Sequence, residues 1–324
     1  MELFNYFLVL VNRYIFIKSL GGLIMAFISI KPEDFGELFK SEDFKKIYEC
    51  TSKDFQQLIS LESFVELAAS FNRGVNYYQV EFNTWLPNSN HYVWLDDQKE
   101  KAISVSFNEH QVIQSLYLRP FVTYPESDNH FTQNTYSMPI RGDWFVFWGG
   151  ANEFINYHYV YENQRYAYDL VKVQGDSSYQ NAPSQNENFY AFGKEITAPA
   201  KGKVIKIIDG MIDNTPGEMD DQNPAGNYVI IEHSSEEYSL LAHLKKNSIK
   251  VSVGELVEEG QFIGLCGNSG NSSEPHLHFQ VTDSSDFRNG KSLRIQFKDG
   301  SEPIQGDRVS NVLEYKSTLD KGTR

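Results

Sequence analysis

The segment Pro275–Val281 reads Pro-His-Leu-His-Phe-Gln-Val, and it constrains the fold more than any other part of the chain. Side chains of a β-strand point alternately to opposite faces, so His276 and His278 are expected on one face. Leu277 and Phe279 are expected on the other face, in a core. Two imidazoles held on one strand face suit a zinc ion and its reacting water. Two surface histidines on an amphipathic strand would give the same pattern.

The composition favours a β-rich protein of two domains. The chain has 324 residues, enough for two separate cores, and its 19 Tyr and 23 Phe favour strands. The formal net charge of −14 argues against a nucleic-acid partner, because phosphate binding needs a basic surface. The two cysteines, Cys50 and Cys266, fall in different predicted domains and give no disulfide framework.

An apolar leader is predicted over residues 1–30. Arg13 and Lys18 interrupt it, and the run Ser19–Ile30 is too short to span a bilayer comfortably. We interpret the leader as a weak signal or anchor. The alternative is that translation starts at Met25, which would leave the chain in the cytoplasm.

Residues 31–122 are predicted to form an α+β domain, with short helices followed by an antiparallel meander. Apolar side chains first recur at helical spacing, with Ser52 and Ser60 as expected N-caps. The pattern then alternates with period two over four strands separated by polar turns. This order is similar to the cone-shaped domains of the nuclear transport factor 2 and cystatin type. His91 and His110 are expected at the surface of this domain.

The rest of the chain is predicted to be a linker, a second domain and a tail. Residues 123–135 are polar and are interpreted as the linker. Residues 136–310 have short, closely spaced strands, many glycines and hardly any helical signal, which predicts an all-β domain of hairpins and small antiparallel sheets. Residues 311–324 are predicted to form a frayed tail.

Four motifs follow one another in the second domain, between Ala191 and Val281. They are Phe192–Val204, Gly226–His233, Ala242–Leu244 and Pro275–Phe279. In sequence and in order they resemble the lysostaphin-type, LytM-like zinc metallopeptidases, which cut peptide bonds in bacterial peptidoglycan. Four motifs in the family's order are far more specific than any one of them. The resemblance implies a peptidase fold, a zinc cofactor and peptidoglycan peptides as substrates.

The resemblance also implies roles for individual residues. His278 would be a zinc ligand, and His243 and His276 would be the two catalytic histidines. The family's other two ligands form a His-x-x-x-Asp motif, whose carboxylate is matched by Asp169. Four residues before it stands Arg165. A guanidinium is always protonated and cannot coordinate a metal, so the first ligand is missing from its usual place.

His158 is the candidate for the missing ligand. It comes eleven residues before Asp169, on what we expect to be the preceding strand of a hairpin. We hypothesise that His158, Asp169 and His278 together hold the zinc ion. The alternative is that His158 is a core or surface residue and that the metal site is defunct.

The expected function is zinc-dependent hydrolysis of peptide bonds in peptidoglycan. Zinc lowers the pKa of a coordinated water to about 7, and His243 and His276 would act as general base, general acid or oxyanion donors, with the assignment between them open. One alternative is an inactive homologue that binds wall peptides or regulates another hydrolase, for which Arg165 argues. Another is a carrier domain of the lipoyl or biotinyl kind. The substrate implies a location at the cell surface or in the cell wall, and the oligomeric state is left open.

Overall fold

A computed structural model of the protein describes residues 29–87 and 89–311. The leader predicted over residues 1–30 therefore lies almost entirely outside the described residues. The same holds for the predicted tail, apart from Asn311. Within the two described ranges, no helix is long and apolar enough to cross a membrane.

The first part of the chain has short helices followed by four antiparallel strands, as predicted. Both expected caps are present, since the hydroxyl of Ser52 accepts a hydrogen bond from the N–H of Phe55 and that of Ser60 from the N–H of Ser63. The elements are a 3-10 helix at Pro32–Asp34, α1 (Phe35–Lys40), α2 (Phe44–Glu49), α3 (Lys53–Leu58), α4 (Leu61–Asn72), β1 (Tyr78–Leu86), β2 (Ser89–Asp96), β3 (Lys101–Phe107) and β4 (Ile113–Pro120).

The helices cover one face of the β1–β4 sheet. Phe35 and Phe39 of α1 are fully buried, and the ring centroid of Phe35 lies 4.9 Å from that of Trp94 on β2. Phe64 and Ala68 of α4 belong to the same apolar cluster. These side chains recur at the helical spacing read from the sequence, so burial of one apolar stripe on each helix holds the helices against the sheet.

The second part is mostly β-structure. Its elements are α5 (Pro125–Asp128), β5 (Phe131–Tyr136), β6 (Trp144–Trp148), a 3-10 helix at Tyr157–Val160, β7 (Tyr168–Val171), a 3-10 helix at Asn186–Asn188, β8 (Glu195–Thr197), β9 (Gly202–Ile208), β10 (Asn227–Glu232), a 3-10 helix at Ser234–Glu236, β11 (Tyr238–Leu244), β12 (Leu256–Val257), β13 (Phe262–Leu265), β14 (Leu277–Thr282), β15 (Arg294–Phe297) and β16 (Arg308–Val309).

Eight strands of the described chain form one antiparallel sheet in the order β12-β9-β10-β11-β14-β7-β6-β16. Two two-stranded ribbons, β13-β8 and β15-β5, accompany it. Leu277 and Phe279 of β14 share an apolar cluster with Ile263 of β13 and Ile295 of β15. One face of the large sheet therefore packs against the ribbons, and the alternation along β14 turns His278 to the opposite face.

The segment 123–135 differs from the irregular linker predicted for it. Its first half contains α5, and its second half enters β5, which pairs in parallel with β15. The polar side chains that suggested a linker have specific partners. Asp128, for example, accepts hydrogen bonds from the hydroxyls of Tyr159 and Tyr166.

His91, which was expected at the surface, is buried between the two parts of the chain, so that expectation was wrong. Its Nδ1 lies 2.9 Å from the side-chain oxygen of Gln305, and its Nε2 lies 2.8 Å from the hydroxyl of Ser104. Thr84 of β1 also donates a hydrogen bond to the Gln305 carbonyl. Residues of the second part, such as Gln305, cover this end of the β1–β4 sheet. The local sequence pattern around His91 cannot predict such a long-range contact.

Candidate metal centre and catalytic histidines

Asp169 and His278 face each other across two paired strands. In the register of β7 and β14 the two residues are direct partners, so their side chains lie on the same face of the sheet. Nδ1 of His278 lies 2.9 Å from Oδ1 of Asp169, and both side chains are almost completely buried. Strand pairing thus joins two of the predicted ligands, which are 109 residues apart in sequence.

His158 reaches the same place from a 3-10 helix. The expectation of a hairpin strand was wrong, because residues 157–160 make a single tight turn that begins at Asn156. The His158 side chain is fully buried, and its Nε2 lies 3.5 Å from Oδ2 of Asp169. The structure therefore brings together His158, Asp169 and His278, with one possible ligand atom from each within 4.8 Å of the others.

Asn156 fixes which nitrogen of His158 faces Asp169. Its side-chain N–H groups donate to the carbonyls of Gly150, Arg165 and Ala167, so its Oδ1 is left as an acceptor. That oxygen accepts from the backbone N–H of His158 and from Nδ1, which lies 2.9 Å away. The proton of the neutral ring is thereby placed on Nδ1, and the lone pair on Nε2 is directed toward Asp169.

Gln280 orients His278 in a similar way. The Gln280 amide donates to the carbonyl of Asn163, which leaves its Oε1 to accept from Nε2 of His278 at 2.8 Å. A neutral His278 then carries its lone pair on Nδ1, where it meets the carboxylate oxygen of Asp169. Two lone pairs repel at this distance, so the arrangement requires a cation between them, either a proton or a metal ion.

The donor set fits a zinc ion. Nε2 of His158 is buried and has no hydrogen-bond partner among residues 29–87 and 89–311, which is costly unless another species binds it. Two imidazoles and one carboxylate are common zinc ligands, and a tetrahedral ion would hold its ligand atoms about 3.3–3.6 Å apart. Nε2 of His158 lies 3.5 Å from Oδ2 of Asp169 and Nδ1 of His278 lies 2.9 Å from Oδ1, so each nitrogen is near that spacing from one carboxylate oxygen.

Arg165 does not occupy the space between the ligands. Its guanidinium carbon lies 3.6 Å from the centroid of the Tyr124 ring, and its Nε donates to the carbonyl of Tyr159 at 2.9 Å. Both partners lie outside the cluster of His158, Asp169 and His278. The arginine that stands where the family has a histidine thus has a separate structural role.

His243 lies beside the cluster because its backbone departs from the strand geometry. Its φ of 61° is in the left-handed region, which is uncommon for a residue other than glycine. Simple alternation would turn His243 to the side of Leu241, which is in the core cluster. Instead its ring lies 4.6 Å from that of His276, between centroids, and its Nδ1 is 2.8 Å from the carbonyl oxygen of Ser269.

His276 completes the group just before β14 begins. Its Nδ1 is 2.8 Å from the carbonyl oxygen of Glu274, and its Nε2 is 3.7 Å from Oδ1 of Asp169. A carbonyl can only accept, so Nδ1 is the protonated nitrogen in both His243 and His276. In the neutral form of each ring, Nε2 therefore carries the lone pair. His276 is also more exposed than the three clustered residues, so a reactant can reach it.

Burial controls the ionisation of these groups. Burial lowers the pKa of His158 to about 3, although the negative charge of Asp169 acts in the opposite direction. Burial and, secondly, the charge of His276 hold the pKa of His243 well below its ordinary value. Burial alone would raise the pKa of Asp169, but the neighbouring imidazoles hold it below its usual range. Burial alone would lower the pKa of His278, yet its hydrogen bond to Asp169 raises it. The forms favoured for His158 and Asp169, neutral and ionised, are those that coordinate a metal.

Sequence reasoning missed the residues that orient the ligands, Asn156 and Gln280. Each stands two residues from a predicted ligand, His158 or His278, and Gln280 shares a strand face with His278. An outer hydrogen-bond partner for each ligating histidine is a general feature of metal sites. The period-two spacing of Gln280 was therefore a usable signal. That of Asn156 was not, because the turn at residues 157–160 could not be read from the pattern.

A protein-family comparison matches residues 188–294 to the model of Peptidase family M23. This result confirms the resemblance seen in the sequence of the second domain. The matched segment contains His243, His276 and His278, and it begins after His158 and Asp169. The likeness of the first domain to cone-shaped domains stays a prediction.

Several curated proteins match parts of the chain. A peptidoglycan DD-endopeptidase of Vibrio cholerae, ShyB, is 49% identical over 57 residues, which are 18% of this chain and 13% of that protein. Lysostaphin of Staphylococcus simulans is 43% identical over 93 residues, 28% of this chain and 16% of that protein. An uncharacterized metalloprotease of Buchnera aphidicola is 33% identical over 117 residues, 36% and 28% of the two chains. The chain thus spans less than a third of the length of these relatives.

Solved structures of similar proteins include the catalytic domain of lysostaphin from Staphylococcus simulans. It covers 36% of this chain and 85% of its own, with 24% sequence identity and a TM-score of 0.24. A zinc-containing peptidase from Vibrio cholerae covers 63% and 49%, with 18% identity and a TM-score of 0.26. These scores are low, so the family assignment rests on the sequence matches.

Proposed function

We propose that this chain, whose residues 188–294 are a Peptidase family M23 domain, is a zinc-dependent endopeptidase that hydrolyses peptide bonds of bacterial peptidoglycan. The observation that carries the proposal is the meeting of His158, Asp169 and His278 beside two further imidazoles, those of His243 and His276. Relatives named peptidoglycan DD-endopeptidase and lysostaphin support the substrate class.

Three side chains would hold the metal. Asp169 contributes the negative charge, while His158 and His278 contribute nitrogen lone pairs whose direction is fixed by Asn156 and Gln280. When bound there, zinc supplies Lewis acidity and a water whose pKa is lowered to about 7. The three side chains are almost completely buried, which strengthens the charge interactions among them.

His243 and His276 would move the protons of the reaction. Each has its Nδ1–H bonded to a carbonyl, which holds the ring and leaves Nε2 free to accept a proton from the attacking water. Once protonated, either ring can stabilise the developing oxyanion or pass its proton to the leaving amine. The depressed pKa of His243 makes it a ready donor after protonation.

The rival proposal of an inactive homologue is less well supported. It depended on Arg165 standing in place of a ligand. That guanidinium stacks on Tyr124, and Nε2 of His158, which has no hydrogen-bond partner among the described residues, is a candidate to replace it. The carrier-domain alternative gains no support from the histidine cluster. Because peptidoglycan is the proposed substrate, we also propose that the chain acts at the cell surface or in the cell wall.

Purified protein incubated with defined peptidoglycan fragments tests the proposal, with the products read by mass spectrometry. We expect cleavage of a peptide bond, loss of cleavage with a chelator, and recovery when zinc is added back. Asp169→Asn serves as a matched variant that loses a ligand charge with little change of shape. Binding of wall peptides without cleavage, in protein lacking stoichiometric metal, would favour the inactive homologue.

A further inference from the structure

The loop that carries His158 is held by residues from the chain that precedes β5. This loop, residues 149–167, contains no strand, so sheet pairing does not fix it as it fixes Asp169 and His278. Arg119, on β4, forms an ion pair with Glu153 of the loop at 2.9 Å. The rings of Phe121 and Phe154 stack with their centroids 6.2 Å apart.

The contacts become denser next to the ligand itself. One carboxylate, that of Asp128 in α5, accepts hydrogen bonds from the hydroxyls of Tyr159 and Tyr166 at 2.8 Å each. The backbone N–H of Tyr124 bonds to the Tyr159 hydroxyl at 3.0 Å. Tyr159 directly follows His158 in the 3-10 helix, so these bonds act one residue away from the proposed ligand.

Arg165, within the loop, contacts both the loop and the segment that holds it. It stacks on Tyr124 and donates to the carbonyl of Tyr159, while its own carbonyl accepts from Asn156. Arg165 is thus bonded to Asn156, just before the His158 turn, and to Tyr159 within it. Its separate role, noted above, is that it connects the turn to the segment containing Tyr124.

We infer that the segment 119–128, named the brace, is a working part of the metal centre, because it sets the position of His158 and therefore the affinity for the metal. The inference rests on the proposed function. A single 3-10 turn has poor hydrogen-bond geometry, and ordering a loop costs conformational entropy. The contacts of the brace order the loop before the metal binds, so metal binding does not have to supply that entropy. Asp128, Tyr124 and Arg165 are positioning residues, since none of them belongs to the ligand cluster.

Zinc affinity of the full chain tests this inference directly, measured by competition with a chromophoric chelator. Asp128→Asn removes the charge that both tyrosine hydroxyls use and keeps the shape, so we expect zinc to bind about tenfold more weakly. Tyr159→Phe removes the hydrogen bond from the Tyr159 hydroxyl to Asp128 and should also weaken zinc binding. The visible spectrum of the cobalt-substituted protein should also change, because the His158 nitrogen is less well placed.

Thr84→Val is the matched control. It removes another hydrogen bond between the two parts of the chain, from the Thr84 hydroxyl to the Gln305 carbonyl, outside the loop. We expect it to leave zinc affinity unchanged. Wild-type affinity in both Asp128→Asn and Tyr159→Phe overturns the inference and leaves the proposed function standing, as does an equal loss of affinity in Thr84→Val. A wild-type chain that binds no zinc overturns the proposed function and the inference together.

Discussion

Nε2 of His158 lies 3.5 Å from Oδ2 of Asp169, in a fully buried position where it has no hydrogen-bond partner among the described residues. A buried nitrogen with a directed lone pair beside an ionised carboxylate is a stable arrangement only when a cation joins them. This contact supports the proposal that His158 fills the role that Arg165 cannot fill.

Replacing His158 with alanine should therefore remove a metal ligand. We expect the zinc content of purified His158→Ala protein to fall far below one ion per chain. The affinity should fall by more than the roughly 10- to 100-fold that follows removal of an outer hydrogen-bond partner. Elemental analysis after dialysis against a weak chelator measures the zinc content.

His110→Ala is the control for the histidine substitution. This residue is exposed, with 77% of its side chain accessible, and its Nε2 lies 3.5 Å from Oε1 of Glu109, which is exposed as well. Its zinc content should equal that of the wild type. If His158→Ala keeps a full zinc ion, the assignment of His158 as a ligand is wrong.

Replacing His243 or His276 should separate catalysis from metal binding. Neither ring belongs to the cluster of His158, Asp169 and His278, so we expect that neither is needed to hold the ion. We expect His243→Ala and His276→Ala to retain zinc and to lower turnover by roughly 10²- to 10⁴-fold. Parallel measurement of metal content and of fragment cleavage checks this. Full activity in His276→Ala would contradict its catalytic role.

Gln280 should control how well His278 binds the metal. Its Oε1 accepts from Nε2 of His278, and Gln280→Leu would leave that N–H unpaired in a buried site. We expect the zinc dissociation constant to rise about 10- to 100-fold, while Gln280→Glu, which keeps an acceptor, should bind zinc more tightly than the leucine variant. Equal zinc affinity in wild type and Gln280→Leu would show that the hydrogen bond does not matter.

His91 should make the folded protein less stable in acid. Burial lowers its pKa below the ordinary value of 6.5, against the hydrogen bond to Gln305. As the pH falls through 6.5 the unfolded chain takes up a proton at this residue and the folded chain does not, so stability decreases. The contribution of one such histidine is at most about 1.4 kcal/mol per pH unit.

Urea unfolding of wild type and His91→Gln, at pH 7.5 and at pH 5.5, measures this term. Glutamine keeps a neutral hydrogen-bonding group toward Gln305 and Ser104 but does not titrate. We expect the free energy of unfolding to fall less between the two pH values in the variant. An identical pH dependence in wild type and variant would mean that His91 has the same pKa in the folded and unfolded chains.

The sequence was enough to predict the parts of the fold that depend on local pattern. Helical stripes, the caps at Ser52 and Ser60, and the alternation around His278 each follow from the positions of a few neighbouring residues. Asp169 was found through the resemblance and is the direct partner of His278.

The remaining features depend on contacts that local pattern does not contain. The turn that carries His158 forms because Asn156 bonds three carbonyls distributed over its loop. The position of His243 depends on one left-handed residue within an apparent strand. The burial of His91 and the ordered brace arise from packing between distant parts of the chain. None of these has a repeating pattern in the sequence.

The most direct test of the central claim is a crystal structure of zinc-loaded protein with an anomalous difference map at the zinc absorption edge. We predict one strong peak within about 2.0–2.2 Å of Nε2 of His158, a carboxylate oxygen of Asp169 and Nδ1 of His278. A peak that leaves His158 out of its coordination sphere, or no peak in this cluster at full zinc saturation, would contradict the account.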